Sequence, residues 1–510
     1  MADLLRNRSR TGLSLRFYDD AKSDALQSSL LLTSTNGHTV ELNTKALFRA
    51  ATAVYKLDNY EGSKSILNQL REIAPNDNDA VALGKKIKFR MREQARGSYN
   101  FGQLRKSAES SGNLDVASFL LKTKIRSNSA NVMGLYATQD VKAGDIIFCE
   151  KAFAATTAQD RQTQPAHLMT MTKNQLAVAG NYDVALWKNV VEKTTRNKST
   201  SRRLNNLTET WHVSYTAPSV SAEDDVFLMF KRIQRNFLTI KDSANVGVNG
   251  KQGLFIHASQ IAYSCMPNTA RAFVGDLLVV RASRAIKAGD QLFGTETFLF
   301  DNYDQTKNFI SNTLKSHCEC AICVAEEQTS PEQRVLRQEA LGLVDTYCKT
   351  SLSLNYSTKA KLDSAISKGV QLANKLSATY NDDTFQGVIP RRGLTKLYST
   401  LLKLDRIRLD KYPKPKDMTK SLSFPMQALQ ASGCQIAVDA SGNVSFANLY
   451  GVQNDRTQEL LIDCALVAAM YGRFQTVKQF VGYAKEMHLL EHCDLADFPE
   501  MFEQLASIST

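Results

Sequence analysis

Three cysteines fall within six residues in Cys318-x-Cys320-x-x-Cys323. Thiolates at this spacing can converge on one tetrahedral ion, and a fourth ligand must then come from elsewhere in the chain. Cys265, in Tyr263-Ser264-Cys265-Met266-Pro267-Asn268, is the leading candidate, with His317 and His257 as alternatives. Four thiolates leave no open position for water, so the expected ion is a structural zinc. The competing reading is a set of reduced, unliganded thiols. Such crowding in a reducing compartment favours metal over disulfides. Cys149, Cys348, Cys434, Cys464 and Cys493 lie among apolar neighbours and read as buried small hydrophobes.

Short strands surround this centre. Gly134-Leu135-Tyr136-Ala137 leads through Lys142-Ala143-Gly144-Asp145 into Ile146-Ile147-Phe148-Cys149, two strands about a tight turn. A second copy runs from Leu277–Ala282 through Lys287-Ala288-Gly289-Asp290 into Gln291-Leu292-Phe293. Between them a polar insert, 151–222, holds no cysteine, carries the basic stretch Lys193 to Arg203 and reads as mixed helix and loop. Asp225 to Ile240 reads as a helix, with Phe227, Phe230, Ile233 and Phe237 on one side.

The first 126 residues read as helices with an internal repeat. Leu15-Arg16-Phe17-Tyr18-Asp19-Asp20-Ala21 is echoed 42 residues later by Leu57-Asp58-Asn59-Tyr60-Glu61-Gly62-Ser63. In the second unit, Thr44 to Asp77, Leu47, Ala50, Ala51 and Val54 face Ser63, Leu67 and Leu70. Small residues at Ala51 and Ser63 permit close helix approach, and Pro75 stops the second helix. The extra residues of the offset suit a loop around Gly37. A 34-residue helical pair of this kind resembles the tetratricopeptide repeat. Asp79 to about Arg96 suits a capping helix. Its six basic residues from Lys85 to Arg96, against Glu93, read first as a solvated face and second as an acid-binding or nucleic-acid surface.

From Ser330 the chain reads as helical. Ser330-Pro331-Glu332-Gln333 combines a cap residue, a first-turn proline and a glutamine at the third position. Helical stripes recur at Leu362–Leu376, Leu394–Leu409 and Leu460–Met487, with a hairpin at Cys434 to Phe446 turning at Ser441-Gly442. The expected division is 1–126 for the repeats and cap, 127–326 for the site-bearing centre, and 330–510 for the tail.

The centre carries a specific resemblance. Gly253-Leu254-Phe255-x-x-Ala258-Ser259-x-Ile261-x-x-Ser264-Cys265-x-Pro267-Asn268, then Arg281-Ala282 and Lys287-Ala288-Gly289-Asp290, resembles the SET domain. The trailing Cys-x-Cys-x-x-Cys resembles the post-SET zinc loop. The arrangement resembles proteins of the SET-and-MYND type, here without the MYND module, and fungal fusions of tetratricopeptide repeats to SET. The resemblance implies an α+β chain: N-terminal repeats, a central β-rich SET-like domain with a zinc loop, and a C-terminal helical domain. It implies S-adenosylmethionine as cofactor and protein lysine as substrate.

Carried over by position, Gly134, Asn236 and Ser259 match cofactor-facing residues, and Cys265, Cys318, Cys320 and Cys323 match the zinc ligands. The departures concern chemistry. Val132 replaces the first glycine of the cofactor turn. Ala262 and Tyr263 replace an Asn-His pair that holds the cofactor. Glu296 stands where the family has its tyrosine, and Ser316 replaces an aromatic. Lysine attacks a sulfonium as the neutral amine, against a reference pKa of about 10.4. A carboxylate such as Glu296 beside it favours the ammonium. Tyr303, seven residues on, is the alternative catalytic tyrosine.

The expectation is therefore a SET-related protein with a degenerate catalytic site, acting as a zinc-stabilised scaffold for a protein or peptide partner, with an acidic one suiting its charge. The alternatives are a diverged but active lysine methyltransferase and a helical-repeat adaptor. The net charge of +12 suits acidic partners, yet no regular aromatic interleaving indicates nucleic acid. No long apolar run marks a membrane span. The charged start, MADLLRNRSR, does not suit a secretory leader, so a cytoplasmic or nuclear location is expected.

Overall fold

A computed structural model describes residues 1–32, 37–111, 113–127, 132–157, 159–160, 167–172, 175–207, 226–240, 251–295, 302–312, 317–354, 356–381, 383–412, 418–439, 443–449, 454–496, 498 and 500. Helical regions flank a strand-rich centre. The chain divides into two compact units that interleave in sequence. One holds Met1–Gln139, Ile146–Ile261 and Phe273–Val280, the other Asp140–Asp145, Ala262–Ala272 and Arg281–Thr510.

The first unit opens with helical hairpins: α1 (Ala2–Ser14) with α2 (Tyr18–Leu30), and α3 (Gly37–Lys56) with α4 (Tyr60–Ile73). The sequence echo has a conformational counterpart. Arg16 and Asp58, equivalent in the repeat, both take a positive φ, 65° and 62°, at the turn between helices. Ser63 donates to the Ala51 carbonyl at 2.7 Å, the close approach expected of two small residues. Gly37 to Asn43 extends α3 and is not a loop. Next come α5 (Asn78–Arg96), capped by the Asp77 side chain and ended by Gly97 in the left-handed region, and α6 (Phe101–Ser111).

The strands of this unit are β1 (Thr123–Ser127), β2 (Met133–Ala137), β3 (Ile146–Lys151) and β4 (Ala154–Ala155). β2 pairs with β1 and not across the tight turn with β3. The insert contains a hairpin, β5 (His167–Thr172) with β6 (Gln175–Gly180), that the sequence reading did not foresee. Helices α7 (Asn181–Arg196) and α8 (Lys198–Ser201) follow. α9 (Val226–Asn236) is shorter than expected, because Phe237–Ile240 forms β7, which pairs antiparallel with β8 (Lys251–Leu254). Phe153, Leu186, Val190, Ile233 and Leu254 gather into one core beneath these elements.

The insert is tied to the helical hairpins. Asn197 Oδ1 accepts from the Tyr18 and Asp19 amides at 2.6 and 3.2 Å, and Asn197 Nδ2 donates to the Arg16 carbonyl. Asp19 accepts from the amide and hydroxyl of Ser199, and Arg203 lies 3.6 Å from Asp58. The basic stretch thus meets both equivalent turns of the repeat.

In the second unit, β9 (Ala262–Tyr263), β10 (Thr269–Val274), of which Thr269–Ala272 belongs here, and the end of β11 (Leu277–Ala282) precede β12 (Phe293–Gly294). Helices α10 (Tyr303–Asn312), α11 (Ala321–Gln328), α12 (Pro331–Ser351), α13 (Lys359–Ser377), α14 (Leu394–Lys411) and α15 (Met418–Ala431) follow. The expected hairpin is β13 (Gln435–Val438) with β14 (Val444–Asn448), and its Ser441-Gly442 turn lies outside the described residues. The tail closes with α16 (Asn454–Met470) and α17 (Phe474–Glu491). Ser330 caps α12 as its sequence indicates, accepting from the Gln333 amide at 3.2 Å. Among the described residues no helix is long and apolar enough to cross a membrane.

Candidate metal centre

The second unit brings Cys265, Cys318, Cys320 and Cys323 together, their sulfur atoms all within 4.8 Å of one another. The Sγ atoms of Cys265 and Cys323 stand 3.7 Å apart. Tetrahedral bonds of about 2.3 Å to zinc set an S–S edge of about 3.8 Å, so the donor set fits that ion. Three of the four are buried and Cys320 is half-buried. Neither histidine alternative joins them. His317 is exposed, and His257, in the first unit, shares a 2.7 Å hydrogen bond with Thr123.

Local structure explains the convergence. Cys320 is the cap of α11, where the helix dipole favours thiolate, and Cys323 lies in the first turn. The Cys265 amide donates to Cys318 Sγ at 3.4 Å, a contact that orients the ligand and spreads its charge. Hydrogen bonds among the sulfurs hold Cys318 and Cys320 below the ordinary thiol range, Cys320 at about 7, and push Cys265 and Cys323 up. Arg284, lowered by burial, feels the charge of Cys320.

Cys265 is held by the strand before it. Ala262–Tyr263 pairs in parallel with Phe293–Gly294. Buried Asn268 fastens the same neighbourhood: its Oδ1 accepts from the Phe293 amide at 2.7 Å and its Nδ2 donates to the Gln291 carbonyl at 2.9 Å. Two copies of the Lys-Ala-Gly-Asp turn lie close by. Val141 and Ile286, each one residue before its copy, exchange both backbone hydrogen bonds at 2.9 Å. Gly144 and Gly289 occupy φ of 83° and 93°, which requires glycine.

The positions carried over for cofactor and catalysis fall as follows. In the first unit, Gly134 is buried in β2 opposite Arg126. Asn236 is buried at the end of α9, its Nδ2 donating to the Arg232 carbonyl at 2.6 Å. Ser259 donates to the Ile256 carbonyl at 2.8 Å. In the second unit, Ala262 is buried, and Tyr263 shares an apolar cluster with Cys265, Cys318 and Cys323, its hydroxyl 3.9 Å from Cys265 Sγ. Tyr303 opens α10 in the same cluster and donates to Glu327 at 3.3 Å. Glu296 and Ser316 lie outside the described residues.

Two positions that brace these segments escaped the sequence reading. Asn268 entered only as the last residue of the motif Ser264-Cys265-x-Pro267-Asn268, with no role assigned. Glu150, at the end of an apolar strand, is fully buried and accepts from the His257 and Ala258 amides, both at 2.8 Å. It thereby holds the turn that carries Ser259. Burial pushes its carboxyl up to about 7. A charge closing the run Ile146-Ile147-Phe148-Cys149 was the available signal.

Comparison with known proteins gives two matches. Residues 132–295 match the SET domain family. The chain is also similar to a protein described as "Methyltransferase" from Gibberella zeae, 28% identical over 333 residues, covering 59% of this chain and 45% of that protein. The chain therefore spans just under half the length of that relative. It carries a SET domain and is related to a methyltransferase.

Proposed function

We propose that this SET-related protein is a scaffold: a structural zinc closes its central fold, the methyl-transfer machinery is degenerate, and the N-terminal helices, read as tetratricopeptide-like repeats, engage a partner protein. The observation that carries the reading is the side chain of Tyr263. At the position of the family's cofactor-holding histidine stands an aromatic buried among the cysteines, its hydroxyl 3.9 Å from Cys265 Sγ. Ala262 beside it has no polar side chain to offer a cofactor. Val132 adds a side chain where the family's turn has glycine and lets the backbone lie against the ligand.

Cys265, Cys318, Cys320 and Cys323 would hold the zinc, whose closed four-thiolate shell supplies folding energy and no reactive water. S-adenosylmethionine, if bound, would supply the methyl group. Gly134, Asn236 and Ser259 are this chain's residues for it, and two of them already donate to nearby carbonyls, Asn236 to Arg232 and Ser259 to Ile256. A cytoplasmic or nuclear location accords with reduced cysteines and a thiolate metal site.

The second reading is an active lysine methyltransferase, and the likeness to the Gibberella zeae methyltransferase favours methyl transfer as such. Incubation with labelled S-adenosylmethionine and a lysine-rich protein mixture separates the two. The scaffold reading expects no transfer above a boiled control. Transfer abolished by Tyr303→Phe would contradict it and make Tyr303 the catalytic tyrosine.

A further inference from the structure

Arginines on the first and third helices form a charge cluster that the SET relationship leaves unexplained. Arg6 and Arg10 lie one turn apart on α1, and Arg49 reaches from α3 to donate to the Arg6 carbonyl at 2.5 Å. The Arg6 side chain keeps only 10% of its exposure. Its Nη2 meets Asp3, while its buried Nη1 has no hydrogen-bond partner among the described residues. Arg49 is half-buried and held below the ordinary guanidinium range, first by burial and then by repulsion from Arg10 and Arg6. Among the described residues no ion pair joins Arg10 or Arg49 to a carboxylate. Three cations drawn together with one exposed aspartate are unfavourable unless an anion completes them.

We propose that Arg6, Arg10 and Arg49 form a binding site for the carboxylates of an acidic peptide segment. Guanidinium forks match carboxylate oxygens in paired hydrogen bonds. Asp3 already meets one edge of Arg6 through a single Nη2–Oδ1 contact. The depth of Arg6 selects a thin, side-chain-borne or terminal anion, which a duplex backbone or a bilayer surface cannot deliver. The site therefore shifts the acidic-partner expectation away from Lys85–Arg96. There Arg90 is engaged by Glu93 and Asp115, and Lys86 and Lys88 stand in solvent.

The inference rests on reading the N-terminal helices as the partner-binding part, but not on whether methyl transfer survives. Methyl transfer by the unmodified chain would remove the scaffold reading and leave this site intact. The test is fluorescence anisotropy of a labelled hexaglutamate peptide on the full chain. Saturable binding is expected, weakening as salt rises. Arg49→Gln and the exposed Arg10→Gln should each weaken it about tenfold or more at unchanged melting temperature. Lys86→Gln with Lys88→Gln should leave it unchanged at fixed salt. Absence of binding, affinity of either arginine variant equal to that of the unmodified chain, or loss in the lysine variant would overturn the proposal. So would displacement by inorganic phosphate at concentrations where acetate leaves the peptide bound.

Discussion

A serine at position 320 tests the metal reading at a single atom. With zinc bound by four thiolates, Cys320→Ser removes one ligand and part of the folding energy. The unmodified protein should carry one zinc per chain, and the variant less, with a melting temperature lower by about 10 °C or more. Metal-free protein melting at the unchanged temperature would contradict this. The cysteines were legible in the sequence because few residue types ligate zinc and their spacing is short. The direction of the Tyr263 side chain was not, since nothing in the sequence says toward which neighbours an aromatic turns. Glu150 carries a second prediction. Burial raises its pKa to about 7, whereas burial lowers that of neighbouring His257 to about 4. Between roughly pH 4.5 and 7 the folded chain holds the Glu150 proton more tightly than the unfolded one, so this contribution to stability falls as pH rises. His257 acts oppositely between about pH 4 and 6.5, where the unfolded chain binds more protons. Glu150→Gln removes the falling component. Its stability relative to the unmodified protein should therefore grow from pH 4.5 to 7.5 by about 1 kcal/mol or more, measured by urea unfolding. A difference constant across that range would place the proton elsewhere.

At the scale of elements, helices with caps and apolar stripes were read correctly where several signals agreed. Ser330-Pro331 at the start of α12 and the Ala51–Ser63 approach are examples. Short apolar runs failed. Phe237-Leu238-Thr239-Ile240 suits a strand as well as a helix, and only its partner β8 decides. The strand pairing of β2 likewise depends on β1, which the local turn signal could not reveal. The repeated turns supply a sharper test. Arg16 is exposed and takes φ 65°, a conformation unfavourable to any residue with a Cβ. Arg16→Gly should therefore stabilise the protein by about 1 kcal/mol, although it removes a whole side chain. Its Asn197 contact uses the backbone carbonyl and survives the change. Thermal unfolding showing a loss of stability would mean that the arginine side chain contributes more than its backbone strain costs.

At the scale of the molecule, the sequence displayed the order of parts but not how they interleave. The expected boundaries at 126 and 326 follow composition, whereas the compact units draw residues 140–145 and 262–272 together with the tail. Such grouping depends on contacts between distant segments, and periodicity carries no information about them. Nor did the sequence show that Asn197 and Arg203 of the insert would meet the turns at Arg16 and Asp58. These ties make the helical hairpins a fixed part of their unit. In the function proposed for this chain, the zinc-bearing architecture persists while cofactor recognition has decayed. Calorimetric titration with S-adenosylmethionine tests it most directly, on the unmodified chain and on the combined variant Val132→Gly, Ala262→Asn, Tyr263→His and Glu296→Tyr. Each hydrogen bond regained is worth about 0.5–1.5 kcal/mol, so the combined variant should bind about a hundredfold more tightly than the unmodified chain. Equal or tighter binding by the unmodified chain would contradict the account.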